Sequence, residues 1–184
     1  AALKALNEHP QRMNIKGFVE PGYNDCFRMR YALPSQEPKV SLIVCTRDRE
    51  DLLRTIINGI LKETDYSDYE IIVVNNQSSD AKTLSYLDEL RKRPQITVLD
   101  YNQAFNFAAM NNLAATQAKG EVLAFLNNDL KITDRNWLKE MVSFAIQPHL
   151  GAVGAKLLYP SGRLQHAGVI LGIGGVAGHS HKGF

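Results

Sequence analysis

Cysteine is scarce in this chain. Two in 184 residues, Cys26 and Cys45, cannot make a disulfide framework. Cys45 sits in an apolar run and reads as a buried thiol, which points to a reducing, cytoplasmic compartment. No apolar stretch approaches the roughly 20 residues of a membrane-spanning helix, and no charged-then-apolar leader opens the chain. Charge of one sign is also missing: 21 Lys and Arg against 19 Asp and Glu leave a formal +2. That is too little for a nucleic-acid surface, so no nucleic-acid partner is expected. The densest basic run, Arg91-Lys92-Arg93, falls at an expected helix end, where it complements the helix dipole. Three phosphate or nucleophile motifs are absent. No Gly-x-Gly-x-x-Gly follows the first strand of the regular part, which argues against a dinucleotide. A Gly-Lys-Ser/Thr phosphate loop and a Gly-x-Ser-x-Gly elbow are missing too.

What is present is the balance of a globular protein, 45% hydrophobic and 22% charged. The length fits one domain, or one domain with a short appendage. The chain begins Ala1-Ala2 without Met and stops at His181-Lys182-Gly183-Phe184, inside a glycine-rich stretch. It reads as a piece of something longer, and any peripheral contact with the inner face of a membrane is expected from segments outside it.

Residues 1–39 read as an appendage and connector: a helix over Ala2–Glu8 stopped by Pro10, then two short strands near Ile15–Val19 and Phe27–Leu33. From Val40 the pattern is regular. Apolar runs at 40–45, 70–74, 96–99 and 121–126 suit strands buried in a parallel sheet. Helical spacing follows each: Glu50–Lys62, a helix capped by Ser79 or Asp80, Phe105–Ala118 closed by Lys119-Gly120, and a helix capped by Thr133 or Asp134. This alternation predicts an α/β fold with a mainly parallel sheet flanked by helices. Beyond Pro148, Gly151–Tyr159 and Arg163–Leu171 read as two strands joined at Pro160-Ser161-Gly162.

Ligands of open parallel sheets bind where strands end in loops. Here those loops are Thr46-Arg47-Asp48-Arg49, Asn75-Asn76-Gln77-Ser78-Ser79-Asp80 and Asn127-Asn128-Asp129. Singly, each supplies turns and caps; Asp48 and Asp80 are each candidate caps for the helix that follows. Together they suggest a nucleotide diphosphate held by side chains and a cation. Asp129, at a strand tip, is a hard oxygen ligand of the kind Mg²⁺ or Mn²⁺ takes, with phosphates and waters completing the shell.

At these loops the sequence resembles the family 2 glycosyltransferases of the GT-A fold, from about Val40 to the end. Val-Ser-Leu-Ile-Val-Cys-Thr-Arg-Asp-Arg (40–49) is similar to their opening strand and nucleotide loop. Ile-Ile-Val-Val-Asn-Asn-Gln-Ser-Ser-Asp (71–80) is similar to the second strand and its acidic loop. Asn106-Phe107 through Asn111-Asn112-Leu113, with Ala118-Lys119-Gly120-Glu121, resembles the helix and turn before the metal motif. Phe125-Leu126-Asn127-Asn128-Asp129 stands in place of Asp-x-Asp. The stretch from Gly151 to Gly168 resembles bacterial members that assemble O-antigen, capsule or rhamnose-rich polysaccharide.

The resemblance implies a domain over 40–184 that binds a nucleotide-diphosphate sugar and serves transfer, with inversion, to a glycan or lipid-linked acceptor. It places Thr46, Arg47, Asp48, Asn75, Asn76, Asn112, Asn127 and Asn128 at the donor. Asn75 stands where an Asp usually contacts base or ribose, and Asp129 is the expected metal ligand. Asn replaces Asp at 75 and 127, and an amide holds a divalent cation less strongly than a carboxylate. The general base of the inverting members has no counterpart here and is expected downstream. His179 and His181 form a His-x-His pair open to two readings, metal or diphosphate contact and a plain exposed loop; His166 reads as structural. Gly172-Ile173-Gly174-Gly175 lacks the helix a phosphate cradle needs. Two other functions fit parts of the pattern: a nucleotidyltransferase, whose glycine-rich triphosphate loop is missing, and a non-catalytic sugar-nucleotide or glycan-binding module of a larger synthase.

Overall fold

In a computed structural model the backbone is described over residues 1–184, with every side chain except that of Ile173. Four parallel strands form the centre: β3 (Val40–Thr46), β4 (Tyr69–Asn75), β5 (Ile96–Asp100) and β6 (Val122–Leu126), in the order β5-β4-β3-β6. The chain steps outward from β3 to β4 to β5, then returns to pair β6 on the other side of β3. That reversal opens a crevice beyond the carboxyl ends of β3 and β6, the place where such sheets take ligands.

Burial explains the central strands. Alternate residues point to opposite faces, and both faces are covered. Leu42 and Val44 pack with Ile71 and Val73 against Leu53, Ile56, Ile57 and Ile60 of α2 (Glu50–Glu63), Leu87 and Leu90 of α3 (Ala81–Arg91), and Leu138 and Val142 of α5 (Trp137–Ala145). Ile43, Ile72 and Val74 face Met110 and Ala114 of α4 (Phe107–Gln117). Each fully buried Leu or Ile contributes about 1.5–3 kcal/mol relative to exposure, which is why these runs are mostly apolar. At the amino end, buried Ser41 donates to Glu70 Oε1 at 2.7 Å and accepts from the Gly120 N–H at 2.9 Å.

Several local expectations are corrected. The first helix, α1, runs Ala2–Arg12 through Pro10 instead of stopping before it. Pro10 lies near the helix end, so the missing N–H costs one bond, and its ring is buried. Gly120 does not close α4, whose C-cap is Ala118. It is glycine because a Cβ there would lie 2.5 Å from the Ser41 nitrogen. Asp80 caps α3 through the Thr83 N–H, but neither Thr133 nor Asp134 caps α5, whose N-cap is Asn136. The two long strands expected after Pro148 are three short ones, β7 (Leu157–Leu158), β8 (Leu164–His166) and β9 (Val169–Leu171); β7 and β8 pair across the expected turn at Pro160-Ser161-Gly162, and β9 pairs with a further strand, β10 (Ala177–His179), in the glycine-rich stretch beyond. Positive φ at Gly168 divides the second run into β8 and β9.

Before Val40, β1 (Gly17–Pro21) and β2 (Phe27–Tyr31) form an antiparallel hairpin. Asn7 of α1 bonds both the N–H and C=O of Val19, at 2.7 and 2.8 Å. The hairpin meets α5 through Arg28 and Arg30, which share the Glu140 carboxylate, and through an edge-on Tyr31–Phe144 contact at 5.0 Å.

Candidate active site

A cleft of about 290 Å³ occupies the crevice, lined by Cys45, Thr46, Arg47, Asn76, Phe105, Phe107, Met110, Asn127, Asn128 and Asp129. The tips of β3, β4 and β6 therefore contribute to one cavity. A roomier hollow of about 390 Å³ lies at the opposite edge, between Pro34, Gln36, Pro38, Glu121 and Ile146. Its single ionisable group and proline-rich wall make it a poor match for a phosphate ligand.

Backbone and side-chain bonds lock the three loops together. The Asn76 N–H donates to the Thr46 carbonyl at 2.9 Å, and Asn128 Nδ2 reaches Thr46 Oγ1 at 3.3 Å. Asp48 does not cap α2. Adopting φ +47, it turns its carboxylate to the N–H groups of Ser79 at 2.5 Å and Asp80 at 2.8 Å. Those two donors, Asp80's first, hold the carboxyl below the usual carboxylate range. Asp48 thus clasps the β3 and β4 loops and is absent from the cleft lining.

The neighbouring asparagines differ sharply. Asn75 has both polar atoms engaged: Nδ2 donates to Asp100 Oδ1 at 2.9 Å, and Oδ1 accepts the Ser78 N–H at 3.1 Å. Arg91 in turn binds both oxygens of Asp100. Asn75 is a strut between β4 and β5 and does not line the cleft. Asn76, 0% exposed, donates through Nδ2 to the carbonyls of Tyr101 and Gln103, at 3.2 and 2.9 Å. Those bonds fix the amide so that Oδ1 can only accept, and Oδ1 has no partner. A buried acceptor left unbonded costs about 1–3 kcal/mol.

Asn112 is exposed on α4 and outside the lining. Its neighbour Asn111 is the buried one, donating to the Phe107 carbonyl at 2.8 Å and accepting weakly from Cys45 Sγ at 3.7 Å. Burial pushes the Cys45 thiol up to about 11, so it is a wall and not a nucleophile. Phe105, 69% exposed, and Phe107, 45% exposed, offer bare rings at the cleft. They flank Asn106, whose side chain caps α4 through the Ala109 N–H, and they were missed as site residues because they read as helix residues. Among the lining residues Asp129 is the one carboxylate. Arg49 is near enough for Asp129 to help hold its guanidinium charged, after the larger effect of Asp51. His179 and His181 lie outside the cleft lining. No group of three or more His, Cys, Asp or Glu able to hold a metal exists among the described residues.

The open α/β sheet, with its cleft at the reversal of strand order, has the architecture of the GT-A glycosyltransferases. Sequence comparison makes the assignment specific: residues 41–169 match "Glycosyl transferase family 2", and the chain belongs to that family. It is 44% identical over 179 residues to the O-antigen biosynthesis protein RfbC of Myxococcus xanthus, covering 97% of this chain and 14% of that protein. It is 42% identical over 183 residues to the uncharacterized protein y4gI of Sinorhizobium fredii, covering 98% and 20%. The chain thus spans a fifth or less of these two relatives. In fold it is similar to the mannosyltransferase PcManGT of Pyrobaculum calidifontis, solved with GDP-Man and Mn²⁺, at TM-score 0.61 and 22% identity over 87% of this chain and 44% of that one. It is also similar to S. aureus TarS 1-349, at TM-score 0.51 and 27% identity over 58% and 32%. No helix among the described residues is long and apolar enough to cross a membrane.

Proposed function

We propose that this cleft binds a nucleotide-diphosphate sugar, and that the protein containing the chain transfers the sugar, with inversion, to a hydroxyl of a glycan or lipid-linked acceptor. The single observation that carries the reading is the unpartnered, buried Asn76 Oδ1 at a cleft that Asp129 rims. A nucleobase N–H or a ribose O–H satisfies that oxygen. Phe105 and Phe107 supply apolar surface against a ring, and Thr46, Asn127 and Asn128 offer hydrogen bonds to hydroxyls.

A divalent cation fits the donor set in one way only. Asp129 gives one anionic oxygen and Asn127 and Asn128 give neutral ones, too few for a protein cage but adequate when diphosphate oxygens and waters complete the shell. Mg²⁺ or Mn²⁺ bound there would stabilise charge on the departing diphosphate. With one carboxylate, this chain's cleft positions the donor, and deprotonation of the acceptor falls to a base from other residues of the protein. PcManGT was solved with GDP-Man and Mn²⁺, and TarS with UDP-GlcNAc; both accord with this reading.

Calorimetric titration with UDP, GDP, dTDP and CDP, with and without Mn²⁺, tests it. One nucleoside diphosphate binds at one site per chain and more tightly with the ion. Equal indifference to all four, at millimolar concentration and with Mn²⁺ present, removes the proposal.

A further inference from the structure

β3 and β6 run side by side with Val44 opposite Leu126. The alignment persists past the end of the sheet, where Asn128 Nδ2 donates to Thr46 Oγ1 at 3.3 Å. One residue further along each strand come Arg47 and Asp129, the one cation and the one anion of the cleft lining. They do not pair with each other. Among the described residues the ion-pair contact of Arg47 is with Asp48 Oδ2, at 3.8 Å, which is too long for a hydrogen bond.

The backbone beneath Arg47 is pinned on both sides. Thr46, before it, accepts the Asn76 N–H at its carbonyl. Asp48, after it, gives its N–H to Ser78 Oγ at 3.1 Å and takes the N–H groups of Ser79 and Asp80 on its carboxylate. That carboxylate is already engaged and competes weakly for the guanidinium. Arg49 shows the opposite arrangement, binding both oxygens of Asp51 at 3.1 and 3.0 Å. The Arg47 side chain is 57% exposed, so a ligand in the cleft can reach it. A guanidinium fork engages phosphate oxygens two at a time.

With the cleft read as a donor site, on which this assignment rests, we propose that Arg47 binds the β-phosphate of the nucleotide-diphosphate sugar and stabilises it as the leaving group. As the acceptor oxygen bonds to the anomeric carbon, the bond from that carbon to the β-phosphate oxygen breaks. Its electron pair stays on the phosphate oxygen, and the acceptor proton goes to a base from other residues of the protein. Negative charge therefore grows on the diphosphate, where a cation already in place stabilises the transition state more than the ground state. Asp129 is the one carboxylate available to hold a divalent ion here, and Arg47 supplies positive charge that does not depend on that ion.

Calorimetry on the chain uses whichever of UDP, GDP, dTDP and CDP binds best, and the matching nucleoside monophosphate, each with and without Mn²⁺. Arg47→Gln weakens the diphosphate about tenfold or more under both conditions and changes the monophosphate by no more than about twofold. Arg47→Lys, which keeps the charge but loses the fork, recovers part of the loss. On the unsubstituted chain the Arg47 Nε–H resonance shifts with the diphosphate and stays in place with the monophosphate, a readout that needs no variant. Equal losses for the two nucleotides put Arg47 against the base or ribose and overturn the proposal, as does an Arg47→Gln variant that binds the diphosphate like the parent. Failure of all four diphosphates to bind the unsubstituted chain instead removes the donor reading, and this assignment with it.

Discussion

Asn76 and Thr46 are bonded across the sheet, the Asn76 N–H to the Thr46 carbonyl at 2.9 Å, at the point where β4 and β3 hand the chain to their loops. That bond aligns the two strand tips, while the Asn76 side chain holds the loop after β5 through Tyr101 and Gln103. One residue thus ties together three of the loops around the cleft, and its buried Oδ1 is left without a partner.

Asn76→Ala removes both donors to those carbonyls and the acceptor itself. It lowers stability by about 1–3 kcal/mol, read as a shift of the urea midpoint, and abolishes nucleoside-diphosphate binding in calorimetry. A fully stable variant that binds as before contradicts the assigned role.

Asp129→Ala removes the carboxylate from the cleft. The Mn²⁺-dependent gain in nucleoside-diphosphate affinity falls at least about tenfold, or ~1.4 kcal/mol, and the metal-free affinity stays where it was. Equal losses with and without the ion point instead to direct contact with the nucleotide.

Gly120→Ala forces a methyl group against β3, 2.5 Å from the Ser41 nitrogen and 2.8 Å from the Val40 carbonyl carbon. Neither backbone atom can move without shifting the central strand, so the chain loses about 1–3 kcal/mol or more. Thermal melting of the variant checks this; an unchanged Tm shows that the approach is looser.

Asp48 makes the pH dependence directional. Its carboxyl is held low by the N–H groups of Asp80 and Ser79, so its contribution is present above the usual carboxylate pKa of about 3.9 and is lost as pH falls through the lowered value. Asn is the informative substitution because it also tolerates the left-handed backbone at φ +47. Chemical denaturation shows Asp48→Asn less stable than the parent at pH 7, with the gap closing only below about pH 4. A constant gap across that range rules out the charged clasp.

Much of this architecture was readable before any coordinates. The runs at Val40–Cys45 and Glu70–Val74 are mostly apolar because both faces of the sheet are covered, and their spacing with the helices announces parallel strands. The adjacent asparagines show where such reading ends. Side chains alternate in direction along a strand, so either Asn75 or Asn76 could have faced the cleft. Asp100 decides the matter by capturing Asn75, a partner 25 residues away. Asn111 and Asn112 present the same ambiguity on a helix, settled by the Cys45 side of α4. After Pro148 the turn at Pro160-Ser161-Gly162 was legible and does join β7 to β8, whereas the pairing of β9 with β10 and the contact of His166 with His179 are revealed by no local pattern.

The account turns on Asn76 facing a nucleotide. Proton–nitrogen NMR of the chain, titrated with its preferred nucleoside diphosphate and diamagnetic Mg²⁺, measures this directly. The largest shifts are expected at the Asn76 side-chain amide and at the backbone of Thr46, Phe105 and Asn128. Shifts gathered instead around Gln36 and Glu121, or none near Asn76 at saturation, contradict it.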